Sequence, residues 1–169
     1  MEKPLTTERP VLPVGVSLKQ AESAIEITQV RELFLEYAQS LGFSLCFQNF
    51  DQELAGLPGE YFPPNGRLLL AHVRDELAGC VALHRLQPEI CEMKRLFLRP
   101  QFRGKGLGRI LAQSVISEAR TVGYTMMRLD TVEPVMKDAV VLYRQLGFYE
   151  IAPYRVNPMP GTLYMELKL

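Results

Sequence analysis

The segment Arg99-Pro-Gln-Phe-Arg-Gly-Lys-Gly-Leu-Gly-Arg109 packs four cationic side chains and three glycines into eleven residues. Glycines spaced by two let backbone N–H groups converge. The amphipathic run that begins at Leu107 brings the unpaired donors and positive dipole end of a helix N-terminus to the same place. Such a turn holds anions, and Arg99, Arg103, Lys105 and Arg109 around it favour phosphate, above all a pyrophosphate. A Walker loop needs G-x-x-x-x-G-K-[ST]; Lys105 is followed by Gly106, so no hydroxyl stands ready for magnesium and a nucleoside triphosphate is not expected. The dinucleotide fingerprint G-x-G-x-x-G also fails, because Arg109 occupies the place of the third glycine. The pattern that fits is R-x-x-G-x-G, at Arg103, Gly106 and Gly108.

That pattern, set directly before Ile110-Leu-Ala-Gln-Ser-Val-Ile116, resembles the pyrophosphate loop of the GNAT superfamily of acyl-CoA-dependent N-acyltransferases. A second motif, Ala139-Val-Val-Leu-Tyr-Arg-Gln-Leu-Gly-Phe148, is similar to the family's A-x-x-L-Y-x-x-x-G-F helix at the same distance from the loop. Glu92-Met-Lys-Arg-Leu-Phe-Leu-Arg-Pro100 looks like the central strand. Tyr154-Arg-Val-Asn-Pro-Met-Pro-Gly161 followed by Leu163-Tyr-Met-Glu166 looks like the tail of a bacterial-type small-amine subgroup. The resemblance covers roughly Cys91 to Ile151. It implies a mixed, twisted sheet of about six to seven strands with about four helices, whose central strands, Ile90 to Leu98 and Tyr124 to Thr131, splay apart to admit a pantetheine arm. It also implies acetyl-CoA as cofactor, with no metal. Arg103, Gly104, Lys105, Gly106, Leu107, Gly108 and Arg109 would hold the cofactor, with the strand backbone of Leu96, Phe97 and Leu98.

Acyl transfer from a thioester to an amine needs a deprotonated amine, a polarised carbonyl and a place for the leaving thiolate. A lysine-like amine of pKa ~10.4 is neutral to about one part in 10³ at pH 7, so a base is wanted. Glu92 stands near the start of the central strand, like the carboxylate base of several family members, and burial is expected to raise its pKa toward the working range. Lys94, on the same predicted face, offers the competing role of an ion-pair partner, and some relatives use a water chain instead. Tyr143 matches the tyrosine that in many relatives protonates the CoA sulfur. Giving a proton from a phenol near pKa ~10 to a thiolate near ~8.5 is uphill by about 2 kcal/mol, small beside the barrier removed. Backbone N–H groups near Leu96 to Leu98 would polarise the carbonyl, since no side chain presents itself as an oxyanion donor. Neither Cys91 nor any serine has a histidine placed by the sequence to activate it, so direct attack in a ternary complex is expected.

Tyr154, Arg155 and Asn157 lie on a proline-rich loop where relatives often close over the acceptor. Arg155 suits a carboxylate on an amino-acid-like substrate, or is a solvated loop charge. The expected activity is transfer of the acetyl group of acetyl-CoA to a primary amine of a small molecule. A peptide or protein amine is the second enzymatic reading. A non-catalytic acyl-CoA-binding regulator is the reading from another class, against which the presence of Tyr143 and Glu92 argues. Family members often dimerise through sheet edges or terminal strands, so the resemblance also allows a homodimer.

Placing the basic turn takes a strand that delivers the chain to it and a helix that leaves it. Ile90 to Leu98 is that strand. Simple alternation sets Glu92, Lys94, Leu96 and Leu98 on one face, Cys91, Met93, Arg95 and Phe97 on the other. After the turn, Leu107, Ile110, Leu111, Ser114, Val115, Ala119 and Val122 form a helical stripe closed by Gly123. Upstream, Val14 to Lys19 reads as a strand, and Ser23-Ala-Ile-Glu26 as a capping box opening a helix that stops at Gly42. Arg67 to Val73 and Glu76 to Leu86 read as a hairpin turning at Arg74-Asp75, with Gly79 marking a bulge or close backbone approach. His72 and His84 fall on these strands as ordinary sheet residues. The irregular stretch 43–65 carries Phe43, Phe47, Phe50, Tyr61 and Phe62 and a short helix around Asp51 to Leu57; it covers the core or walls a pocket. Tyr124 to Thr131 reads as a strand, Pro134 to Leu146 as a helix, and Phe148 to Ala152 and Leu163 to Lys168 as strands. This succession, without an internal repeat, belongs to an α/β (α+β) fold.

The 169 residues suit a single domain over 14–169 behind a loose, proline-bearing tail over 1–13. Acidic and basic residues balance at 19 each, so no global field recruits nucleic acid and attraction to phosphate is local. Three cysteines sit in apolar runs without a C-x-x-C pair, which points to reduced, buried thiols. There is neither a signal-like leader nor an apolar run of membrane-spanning length, so no membrane partner is expected, and the expected compartment is the cytoplasm.

Overall fold

The computed structural model describes residues 8–169. Strand β1 (Val16–Gln20) leads to helix α1 (Ala24–Ser40), then short helix α2 (Phe50–Ala55), strands β2 (Arg67–Val73), β3 (Glu76–Gln87) and β4 (Ile90–Leu98), helix α3 (Leu107–Val122), strand β5 (Met126–Val132), helix α4 (Lys137–Gln145), and strands β6 (Tyr149–Ile151) and β7 (Thr162–Lys168). The strands form one sheet in the order β1-β2-β3-β4-β5-β7-β6. Every pairing is antiparallel except β4 with β5. The expected mixed sheet with its helices is therefore present.

Local chemistry accounts for several of these elements. The Ser23 hydroxyl accepts from the Glu26 N–H, and the Glu26 carboxylate accepts from the Ser23 N–H at 3.0 Å, satisfying donors that α1 would otherwise leave unpaired. Arg74 and Asp75 both take positive φ, 49° and 69°, the conformation that suits a two-residue hairpin turn. Gly79 meets both halves of its expectation. A Cβ there would lie 2.3 Å from the Phe97 carbonyl oxygen, and the β2–β3 register shifts beside it. Helix α4 starts at Lys137 rather than Pro134, because Val135 and Met136 donate back to Val132 at 3.0 and 2.9 Å and close a turn first.

Two cores sandwich the sheet. Val30, Leu33 and Phe34 of α1 and Phe50 of α2 pack on one face against Leu68, Leu70 and Phe97. Leu107, Leu111, Val115 and Ala119 of α3 and Tyr143 of α4 pack on the other against Cys91, Met93, Met127 and Leu129. Cys80 and Cys91 are buried free thiols as expected, but Cys46 is exposed, because it sits in a 3-10 turn beside α2. Of the expected tail, residues 1–7 lie outside the described residues, while Arg9 pairs with Glu118 of α3 at 3.0 Å.

The expected alternation along β4 fails at Arg95. This residue takes φ 59°, and the β3–β4 register jumps from Ala82↔Lys94 to Cys80↔Phe97, which is one extra residue on β4. The bulge reverses the facing of the last residues of the strand. Arg95 and Phe97 join the α1 face with Glu92 and Lys94, whereas Leu96 and Leu98 join Cys91 and Met93 against α3.

Candidate active site

Strands β4 and β5 pair only through Ile90↔Met126, Cys91↔Met127 and Glu92↔Arg128. Both run on past that row, to Leu98 and Val132, with their edges parted. The sheet is thus split at its centre, as the resemblance implied. The split opens a cavity of about 630 Å³ lined by Met93 to Leu98 of β4, Leu129 to Val132 of β5, Tyr143 of α4, and Phe43, Leu45, Phe47 and Gln48 of the connector. Arg95 and Leu96 belong to no row of either neighbouring ladder, so bulge and split together leave the β4 backbone turned to the cavity. The aromatic connector therefore both packs the core, through Phe50 and Tyr61, and walls the pocket.

One end of the cavity adjoins the glycine turn, through Arg103 and Gly108. Gly104 and Gly106 take φ 76° and 80°, and nothing lies within 4 Å of where a Cβ on either would stand. Gly106 caps α3 without a side-chain cap, and the first turn carries no acidic residue. The first helical bond runs from the Ile110 N–H to the Gly106 carbonyl, which leaves the Leu107, Gly108 and Arg109 amides as the helix's free donors. Open backbone, three converging donors and nearby cations fit a diphosphate. The surrounding charges are unequal. Arg103 donates to the Leu98 carbonyl at 2.9 Å and lies 5.6 Å from the Phe97 ring centroid, Arg109 donates to Gln145, and Lys105 is exposed. Arg99 does not join them. It is bound to Glu36 at 2.8 and 3.0 Å and to the Leu77 carbonyl, a strut between the end of β4 and α1.

Tyr143 packs its ring on Phe148, with centroids 5.6 Å apart, and lines the cavity. Burial, with Tyr37 and Asp130 nearby, holds its phenol well above the ordinary range, so it keeps its proton at neutral pH and passes it to a thiolate at a greater cost than the about 2 kcal/mol expected of an ordinary phenol.

Glu92 is fully buried and is absent from the cavity lining. Its carboxylate accepts from Tyr154 at 2.6 Å and from Arg155, and lies 2.8 Å from His84 Nε2. Burial alone would raise its pKa; the His84 hydrogen bond and the charges of Lys94 and Arg155 override burial and bring it down to about 2. The expectation of a raised pKa is thus reversed, because the desolvated carboxylate is surrounded by donors. Tyr154 and Arg155 are committed to Glu92, with the Arg155 guanidinium 5.1 Å from the Tyr154 ring centroid, and they border a smaller depression beside Phe47 and Leu86. Of the three expected acceptor residues, Asn157 alone reaches the main cavity, where it donates to Asp130 at 3.1 Å.

The acetyltransferase (GNAT) family model matches residues 27–148. The chain belongs to the GNAT acetyltransferase family. An uncharacterised N-acetyltransferase of Schizosaccharomyces pombe is 40% identical over 161 residues, 93% of this chain and 97% of the relative. One from Escherichia coli is 27% identical over 147 residues, 84% and 85% of the two chains. Among solved structures, an acetyltransferase of Salmonella typhimurium with its cofactor acetyl-CoA superposes with a TM-score of 0.69 at 18% identity, over 91% of this chain and 94% of that one; at that identity the likeness concerns the fold.

In this N-acetyltransferase sequence reasoning read His84 as an ordinary sheet residue and Lys94 as a partner of Glu92, and gave Arg95 and Asp130 no role. His84 fastens Glu92, and its Nδ1 stands 3.4 Å from the Glu60 carboxylate without hydrogen-bond geometry. Arg95 is bound to Glu53 at 2.9 Å and to Gln48 at 3.0 Å. Strand periodicity offered one signal for Asp130: it alternates with buried Met127 and Leu129, so it must share the face of Arg128 and, across the split, of Lys94.

Proposed function

We propose that the enzyme transfers the acetyl group of acetyl-CoA to a primary amine of a small molecule. The observation that carries this reading is the split between β4 and β5, which makes a cavity running from the glycine turn before α3 to Tyr143 and to a polar face beyond. When bound, acetyl-CoA supplies a thioester whose C–S bond breaks as the acceptor nitrogen forms the C–N bond, so that an ammonium acceptor yields the amide, the free thiol and one released proton.

The chain's own groups divide the remaining tasks. The amides of Leu107, Gly108 and Arg109, with Arg103 and Lys105, hold the diphosphate; the β4 backbone at Leu96 to Leu98 orients the arm and offers N–H groups to the carbonyl oxygen. Tyr143 holds a proton at its phenol oxygen for the leaving sulfur. Glu92, with a pKa of about 2 and three partners, is too weak a base to take a proton from an amine. Its part is to fasten the loop bearing Tyr154, Arg155 and Asn157 over the acceptor side. The apolar wall of Phe43, Leu45 and Phe47 supports a small acceptor over a protein segment.

The test is a thiol-release assay with acetyl-CoA against amines, amino acids, polyamines and peptides. Turnover with at least one small amine, exceeding that with peptides, is expected; peptides as the better substrates would overturn the small-acceptor reading.

A further inference from the structure

Lys94 and Asp130 occupy corresponding places on the two sides of the split. Glu92↔Arg128 is the last paired row of β4 and β5, so on parallel strands the next residues on that face are Lys94 and Asp130, abreast across the opening. Both line the cavity. They form no ion pair with each other among the described residues. The Lys94 ammonium stands 4.0 Å from the Glu53 carboxylate, and Asp130 accepts a hydrogen bond from Asn157.

The neighbouring charges are already engaged. Glu53 neutralises Arg95 through two contacts, at 2.9 and 3.3 Å, and Glu92 is occupied by Arg155 and His84. On that face of the split Lys94 and Asp130 are therefore left as one cation and one anion separated by the gap; Lys137 and Asp138, at the start of α4, also line the cavity. A guest with a single charge would satisfy one of them and leave the other desolvated, which is unfavourable. A guest carrying an ammonium and a carboxylate a few bonds apart satisfies both.

We infer that the acceptor is a free amino acid, its ammonium held by Asp130 and its carboxylate by Lys94. This rests on the proposed acetyl transfer and adds the substrate class and the two residues that select it. Arg155, the residue the sequence suggested for a carboxylate, is engaged by Glu92 and borders a different depression. Asp130 brings the amino group to the side of the split opposite α3 and α4, and the proton that leaves the ammonium before C–N bond formation passes to solvent.

The test compares proteinogenic amino acids with their α-carboxamides and decarboxylated amines, in wild type and in Lys94→Met, Lys94→Arg and Asp130→Asn. In wild type, kcat/KM for the preferred amino acid exceeds that for its carboxamide by at least about tenfold, the effect of one charge-assisted contact. Lys94→Met brings that ratio close to one, Lys94→Arg restores part of it, and Asp130→Asn raises KM for acid and carboxamide alike. A second readout is the melting temperature of the CoA-loaded protein, which the preferred amino acid raises in wild type and not in Lys94→Met. Carboxamides or plain amines used as well as amino acids, or a ratio untouched by Lys94→Met, overturn the inference and leave acetyl transfer standing. If no amine is acetylated yet amino acids still stabilise wild type selectively, the acceptor assignment stands and the transfer reading falls. If amino acids neither react nor stabilise, the assignment is wrong.

Discussion

Glu92 and Asp130 project from neighbouring strands onto one face of the sheet, yet their surroundings give them different uses. Glu92 is sealed among His84, Tyr154 and Arg155; Asp130 meets Asn157 and open space. A carboxyl whose pKa is lower in the folded chain than in the unfolded one adds stability above the unfolded value and loses it as pH falls toward the folded one. With values of about 2 folded and 4.5 ordinarily, the contribution of Glu92 is complete above pH 4.5 and fades toward pH 2. Replacing it leaves Arg155 without its counter-charge. Glu92→Gln is expected to cost about 3 kcal/mol at pH 7 and to flatten the acid limb of stability, as read from urea midpoints across that range. Tyr143 belongs to the same scale. Its phenol is buried, protonated and on the cavity wall, so Tyr143→Phe is expected to lower kcat by about 10²-fold with little change in the calorimetric Kd for acetyl-CoA. Equal turnover of the two proteins would remove the tyrosine from the chemistry.

At the scale of elements, glycines do two unlike jobs. Gly106 stands at φ 80° with open space where a Cβ would be, so Gly106→Val costs about 1–2 kcal/mol of backbone strain. The same side chain would obstruct a diphosphate resting on the helix amides, so calorimetry is expected to show a larger Kd for acetyl-CoA with only a small fall in melting temperature. Gly79 is the opposite case. Its missing side chain lets β3 approach the Phe97 carbonyl, and Gly79→Ala is expected to lower stability by about 3 kcal/mol, measured by denaturant unfolding. Both glycines were legible in the sequence, one by its motif and one by its place inside a strand. The bulge at Arg95 was not. An arginine in left-handed backbone has no propensity to announce it; it is held there by Glu53 and Gln48 from the α2 region and by Tyr37 of α1. That single residue reverses the facing of Leu96, Phe97 and Leu98.

Over the whole molecule, a cofactor that binds only the folded chain raises stability by mass action. At a concentration of one hundred times Kd, acetyl-CoA is expected to add about 2.7 kcal/mol, roughly 5–10 °C in melting temperature for a chain of this size, whereas NAD and ATP leave it unshifted in a thermal-shift assay. The sequence alone determined the order of the elements, the capped helix α1, the hairpin at Arg74-Asp75, the glycine turn before α3 and the family, because caps, periodicity and glycine positions act between residues a few places apart. It could not determine that Glu92 has a depressed pKa, that Arg99 and Arg155 are bound to carboxylates, or that Lys94 and Asp130 face each other across an open split. Glu36 and Arg99 are 63 residues apart along the chain, and so are Glu92 and Arg155. The electrostatic character of a side chain is set by whichever charges folding brings within a few ångströms of it, and no local pattern encodes a partner at that separation.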